Sequence, residues 1–215
     1  MFKRLDEIRC VEKSAIIGNK VLVTVGLLLL GVLLGVLSKY LDCTPSNELP
    51  YVIEFLDIRN FLGRFAVWVV IALSISVYSI SPVKAGINVF AFFLGMVSSY
   101  YLYSKFVAGF FPKTYALIWF GITLISPLMA YVCWYAKGKG KIALVLSSMI
   151  LAVLFNMTFV YGWGYFEPYS LLEAVIFVGG ILIMKRTSIK ETIIMIISSI
   201  FVAVIMNAIF PFYFG

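Results

Sequence analysis

The chain has 215 residues, of which 63% are hydrophobic and only 13% charged, with a mean hydropathy of +1.06. No soluble domain of this length buries so large an apolar share, which excludes a water-soluble enzyme or binding module. The net charge of +7 does not point to nucleic acid, because the positive residues are dispersed over short segments between apolar runs, where anionic lipid headgroups are the expected counterpart.

Apolar runs of about twenty residues, enough to cross roughly 30 Å of hydrocarbon, recur along the chain. The expectation is an all-α, polytopic transmembrane bundle of about seven helices, near 21–41, 63–80, 85–104, 114–136, 141–161, 169–184 and 191–212. Residues 1–20 form a basic cytoplasmic segment, read either as a short amphipathic surface helix or as an ordinary basic flank. The first apolar run, without a small-residue cleavage pattern and continuing to Lys39-Tyr40, reads as a retained helix rather than a signal peptide. On this reading residues 21–215 are one membrane domain, with a single long outer loop at 42–62 that is half apolar and expected to fold back over the bundle.

Twelve of the seventeen lysines and arginines fall in the segments placed inside when the N-terminus is cytoplasmic, including Lys84, Lys137, Lys139, Lys141, Lys185, Arg186 and Lys190. The positive-inside rule therefore predicts the N-terminus in and the C-terminus out. Asp42, Glu48, Glu54, Asp57 and Glu167 all fall on the outer side. Cys10 and Cys133 are placed towards the inside and Cys43 outside, so no internal disulfide is expected.

In the first span Gly31, Gly35 and Ser38 make a small-residue face, suited either to packing within the bundle or to contact with a second protein; Gly179-Gly180 reads the same way. In the fifth and seventh spans, Ser147 to Asn156 and Ser198 to Asn207 agree at five of ten positions, fifty-one residues apart, a pattern expected of a parallel repeat. Ser148, Ala152 and Asn156 share one helical stripe, and Ser199, Ala203 and Asn207 share the equivalent one. Both asparagines must face the bundle interior, either as interhelical glue or as half of a polar binding site.

Glu173 is the acid well inside a span, and Arg64 enters the second span at a similar depth. Either they pair, or Glu173 contacts a ligand or carries a proton. Asn88, on the inner side, reads as local bonding near a helix start. Aromatic residues crowd the outer boundary, among them Tyr101, Trp119, Tyr161 and Trp163, and again Phe210, Phe212, Tyr213 and Phe214 at the C-terminus, while Trp134 and Tyr135 are the clearest on the inner one. An interfacial belt explains most of these; a ring-lined pocket open to the outside, with Asn156, Asn207, Glu173 and Arg64 below it, is the alternative reading.

The sequence has no histidine, and its Lys137-Gly-Lys-Gly-Lys141 run lacks the spacing of a phosphate-binding glycine loop. No paired intramembrane aspartates or retinal-type lysine in the last helix appear, so no catalytic residues, metal or cofactor are expected and the chain reads as a non-enzyme. In size, span number and outward grouping of aromatics and amides it resembles the substrate-binding subunits of energy-coupling-factor vitamin transporters. Those typically have six helices and an alanine-rich packing motif where this chain has Gly31 and Gly35, so no ligand residue carries over. Leu37-Ser-Lys-Tyr-Leu-Asp42 and Phe61-Leu-Gly-Arg-Phe-Ala-Val-Trp68 also resemble an uncharacterised family of bacterial multi-pass membrane proteins, which implies no activity. The functional expectation is a transport-associated protein of a bacterial cytoplasmic membrane. It would bind a small organic ligand from outside, with the lipid bilayer and energising subunits, or an ion gradient, as partners. The alternatives are a non-transporting interaction, immunity or assembly subunit, and a small permease subunit of an exporter.

Overall fold

The computed structural model describes residues 7–11 and 17–209, apart from the side chains of residues 17–20 and Ser46. Its elements run α1 (Ile17–Cys43), a 3-10 turn (Ser46–Glu48), α2 (Tyr51–Phe55), α3 (Ile58–Gly63), α4 (Phe65–Tyr78), α5 (Pro82–Phe106), α6 (Lys113–Ala136), α7 (Gly140–Thr158), β1 (Phe159–Gly162), β2 (Tyr165–Pro168), α8 (Leu171–Met184) and α9 (Ile189–Ile209). Most of residues 1–20, and the aromatic C-terminus from Phe210, lie outside the described residues, and with them the amphipathic-helix reading.

Each expected span coincides with a helix. By length and composition, five are able to cross a membrane: α1, α5, α6, α7 and α9. The other two, α4 and α8, are apolar but have 14 residues each, about 21 Å of helix. Large apolar side chains such as Leu22, Leu33, Leu117, Leu124, Leu171 and Phe201 point away from the bundle, as bilayer contact requires. One element departs from the all-α expectation. The fifth helix stops at Thr158, before the predicted 161, and the chain turns into an antiparallel hairpin that pairs Phe159 with Pro168 and Gly162 with Tyr165. Gly164 makes the two-residue turn at a positive φ of 85°, which a side chain would resist.

The bundle has two packed groups joined by α4. On one side α5 lies between α1 and α6; on the other α7 packs on α9 and α8; α4 touches α5, α6, α7 and α8. The α1–α5 contact is backbone on backbone. A Cβ on Gly31 would overlap the Phe92 carbonyl, one on Gly35 the Met96 carbonyl, and one on Gly95 the Leu28 carbonyl. Gly31 and Gly35 are therefore committed to packing inside the bundle. Gly180 is likewise closed by Leu154, whereas Gly179 faces open space. In the other group Ser148, Ala152, Ser199 and Ala203 are all buried, so the two small-residue stripes of the suspected repeat lie in the interior where α7 and α9 pack.

Several hydroxyl groups within the helices bond their own backbone. Ser74, Ser76 and Ser79 donate to carbonyls four residues back. Pro127, inside α6, removes the N–H that would bond the Thr123 carbonyl, and the Ser126 hydroxyl donates to that carbonyl instead, at 2.8 Å. The loop at 42–62 does fold back: α3 packs on α1 and α4, while α2 presents Tyr51, Val52 and Phe55 outward.

Gly31→Ala or Gly35→Ala should lower the thermal stability of the detergent-solubilised protein by about 1–3 kcal/mol, the usual range for overpacking. Gly26→Ala, which meets no neighbour, should not. Equal melting of all three variants would contradict the close α1–α5 crossing.

Candidate functional site

Two ends of the bundle are defined by the chain itself. At the Cys43 end α1, α5, α7 and α9 finish and α4, α6 and α8 begin; at the Lys137 end the reverse holds. Of the aromatic residues concentrated at the Cys43 end, Trp68, Tyr100, Tyr101, Phe110, Tyr115 and Trp119 line a cavity of about 360 Å³. That volume falls within the range of small-molecule sites, roughly 300–1,000 Å³.

Lys39 is the chemical centre of the cavity. Only 3% exposed, it lies one turn before the end of α1 and donates to the Asp42 carboxylate at 2.5 Å. Its ammonium lies 5.1 Å from the Tyr100 ring centroid and 4.6 Å from that of Phe110. The Tyr100 hydroxyl donates to the same Asp42 oxygen at 3.3 Å. Ring faces, a carboxylate and the carbonyl end of a helix together offset the loss of water around the ammonium. Phe110 is held in place by the α5–α6 turn, where Ser104 and Phe110 exchange hydrogen bonds and Gly109 takes a φ of 75°.

The walls are ordered. Trp68, almost fully buried, donates its indole N–H to the Leu62 carbonyl at 2.9 Å. Trp119 stacks on Phe65 with centroids 4.6 Å apart and planes 9° from parallel. Tyr101 meets Tyr100 and Phe111 edge-on. Ser38 lines the cavity too, rather than the α1–α5 glycine contact, and exposed Tyr115 forms part of its wall. The arrangement can bind a ring or flat apolar body, and it places one cation and one anion at the edge of that space.

Of the residues anticipated from sequence, Tyr101 and Trp119 line this cavity; Asn156, Asn207, Glu173, Arg64, Tyr161 and Trp163 do not. The rings of this cavity thus pack with the α1, α5 and α6 side of α4, while Asn156, Tyr161 and Glu173 lie with α7, α8 and the hairpin. Asn156 donates to the Ala203 carbonyl at 3.1 Å and accepts from the Tyr161 hydroxyl at 2.7 Å, so it ties α7 to α9 and to the hairpin. Burial raises the Tyr161 phenol above its ordinary pKa, which keeps it a donor to that amide. Asn207 is half-buried, and its side chain makes no hydrogen bond among the described residues. Trp163 is wholly exposed at the hairpin tip.

Glu173 is 0% exposed and paired with Arg64 at 2.7 Å, while the Arg64 side chain keeps 21% of its surface. Ser170 donates to the other Glu173 oxygen and caps the Leu172 N–H, the serine-to-glutamate spacing of a capping box. Arg64 also faces the Tyr169 ring. The pair thus joins the first turns of α4 and α8. Asn88 is not a local contact as expected: it accepts from Thr24 of α1 at 2.7 Å and donates to Ser79 at 3.1 Å.

Lys39, Asp42, Trp68 and Tyr100 line the cavity without standing out in the sequence as candidate binding residues. The available signal was a lysine three residues before an aspartate at the end of a long apolar helix, which by itself reads as a membrane boundary.

Arg64→Ala, which strands a fully buried carboxylate, should cost about 3–5 kcal/mol in thermal or denaturant unfolding, and Glu173→Gln clearly less, because the arginine already reaches the surface. The joint Arg64→Met/Glu173→Leu variant should recover most of the loss; a joint variant as unstable as Arg64→Ala would argue against simple pairing. Compared with known proteins, the chain matches no family model, no curated protein and no solved structure.

Proposed function

We propose that the protein is a transport-associated, seven-span protein of a bacterial cytoplasmic membrane, with its N-terminus inside, and that it receives a small organic ligand from the outside into the Lys39 cavity. The observation that carries this reading is a ring-lined space of about 360 Å³ with a buried lysine at its edge. The ligand class that fits is a flat or amphipathic body for Trp119, Trp68 and Tyr101, bearing an anionic group that Lys39 meets in place of half-exposed Asp42. With no nucleotide-binding motif in the sequence, net uptake needs energising subunits or an ion gradient. The alternative of docking a partner through the first-helix glycines loses support, since Gly31 and Gly35 already contact α5.

Orientation is tested by cysteine labelling. Cys43 and Cys10 are both exposed and lie towards opposite ends of the bundle. A membrane-impermeant maleimide should label Cys43 in intact cells and Cys10 only after permeabilisation; the reverse pattern inverts the topology.

Ligand binding is tested by thermal shift against carboxylate-bearing vitamins, nucleobase derivatives and aromatic amino acids. A ligand present at about a hundredfold over its Kd stabilises the native state by about 2.7 kcal/mol. The shift should disappear in Lys39→Met and Trp119→Ala and persist in Trp163→Ala, whose side chain is far from the cavity lining. If no compound stabilises the protein, or if the cavity variants respond like the parent, the binding reading fails and a partner-docking role takes its place.

A further inference from the structure

A second cavity, of about 450 Å³, lies at the Lys137 end between the α6–α7 and α8–α9 turns. Among the described residues its lining is basic: Lys137, Lys139, Lys185 and Arg186, against the single acid Glu191. Two long helices start here. α7 begins at Gly140 after Lys139, which provides no side-chain cap, and α9 begins at Ile189 after Ser188, whose carbonyl accepts from the Thr192 N–H at 3.0 Å. Helix N-termini present unpaired N–H groups and the positive end of the helix dipole.

Arg186 supplies the independent observation. It is 93% buried by its 7% exposure, yet its Nε has no hydrogen-bond partner among the described residues. One Nη donates to the Ala136 carbonyl at 3.1 Å, and the nearest carboxylate oxygen, on half-exposed Glu191, is 3.7 Å from Nε. A buried guanidinium N–H left without an acceptor is costly; Nε is closed to solvent, so an oxygen-rich anion in the adjoining cavity would reach it as the Glu191 side chain turns away. Lys137 is crowded in the same sense. Burial, and then the charges of Arg186 and Arg9, lower its pKa below the ordinary lysine value, and its Nζ donates to the Ile183 and Lys185 carbonyls at the end of α8. An anion placed among these groups would relieve the repulsion between them.

We propose that this pocket binds a phosphate group, carried by an anionic phospholipid headgroup or by a soluble phosphate. The shared chemistry is tetrahedral oxygens meeting Arg186 Nε, the exposed Lys139 and Lys185 ammonium groups and the backbone N–H groups that open α7 and α9. The space exceeds what a bare phosphate needs and leaves room for an ester substituent. Glu191 opposes the anion, and its exposed side chain is able to turn towards water.

The experiment uses the full chain purified in a non-ionic detergent. Thermal stability is compared in inorganic phosphate and in chloride at matched ionic strength. It is compared again in phosphatidylcholine nanodiscs with and without phosphatidylglycerol. Lys139→Ala/Lys185→Ala removes two exposed charges from the pocket, and Lys105→Ala/Lys113→Ala removes two exposed charges from the other end. The pocket variant should bind on the order of tenfold more weakly, or worse, while the control binds as the parent does, and Glu191→Gln should bind more tightly. Stabilisation by inorganic phosphate identifies a soluble ligand; stabilisation by phosphatidylglycerol alone identifies a headgroup. No stabilisation from either source, or equal loss in the two double variants, would overturn the proposal.

Discussion

A polar group inside an apolar bundle must find its partner within the protein, and the arrangement of this molecule follows from that constraint. Where the partner is on the same helix, the group disappears from the architecture: the serines of α4 and the Ser126 repair beside Pro127 bond their own backbone and leave the helix faces free. Where no local partner serves, the group reaches across and fixes which helices meet. Asn156 holds α7 to α9, Asn88 holds α1 to the α4–α5 turn, and Arg64 with Glu173 holds α4 to α8. These contacts tie α1 and α8 to α4 and its flanking turn, and α9 to α7.

Packing between those ties uses two devices. The α1–α5 contact brings backbones together through Gly31, Gly35 and Gly95, whereas α7 and α9 meet through serine and alanine stripes. Both depend on close approach rather than on expulsion of water, as expected where the surroundings are themselves apolar. At the Cys43 end of the first group the glycines give way to Ser38, Lys39 and rings, and the side chains leave a space between α1, α5, α6 and the start of α4. The cavity therefore begins where the tight crossing stops.

The helices were legible because hydrocarbon thickness imposes a length on apolar runs, and the glycine face was legible because close approach needs small residues. The hairpin was not. Phe159 to Tyr161 continue the hydrophobicity of α7, and only Gly162-Trp-Gly164 marked the turn. The lining of the candidate cavity was legible only in part: Tyr101 and Trp119 stand out by their crowding at one boundary, but the amides and Glu173 group with them because depth along the helix axis can be counted from sequence and direction around the bundle cannot. Residues at one depth separated onto two sides of α4.

The contrast between the two ion pairs near the Cys43 end separates structure from site. Glu173 has its charge met by Arg64 and its second oxygen by Ser170, with no surface left over, so the carboxylate is saturated and its exchange for a ligand would break the cap of α8. Lys39 is buried to the same degree, but its partner Asp42 keeps about half its side chain exposed, and two ring faces supply the rest of its stabilisation. Rings stabilise an ammonium without filling its hydrogen-bonding capacity, which is three donors. An incoming anion can therefore take a donor of Lys39 while the half-exposed Asp42 carboxylate turns to water, so that neither charge is left buried and unpaired. The same exchange at Arg64 would strand the fully buried Glu173 carboxylate, so of the two pairs only Lys39–Asp42 has a partner that water can take over.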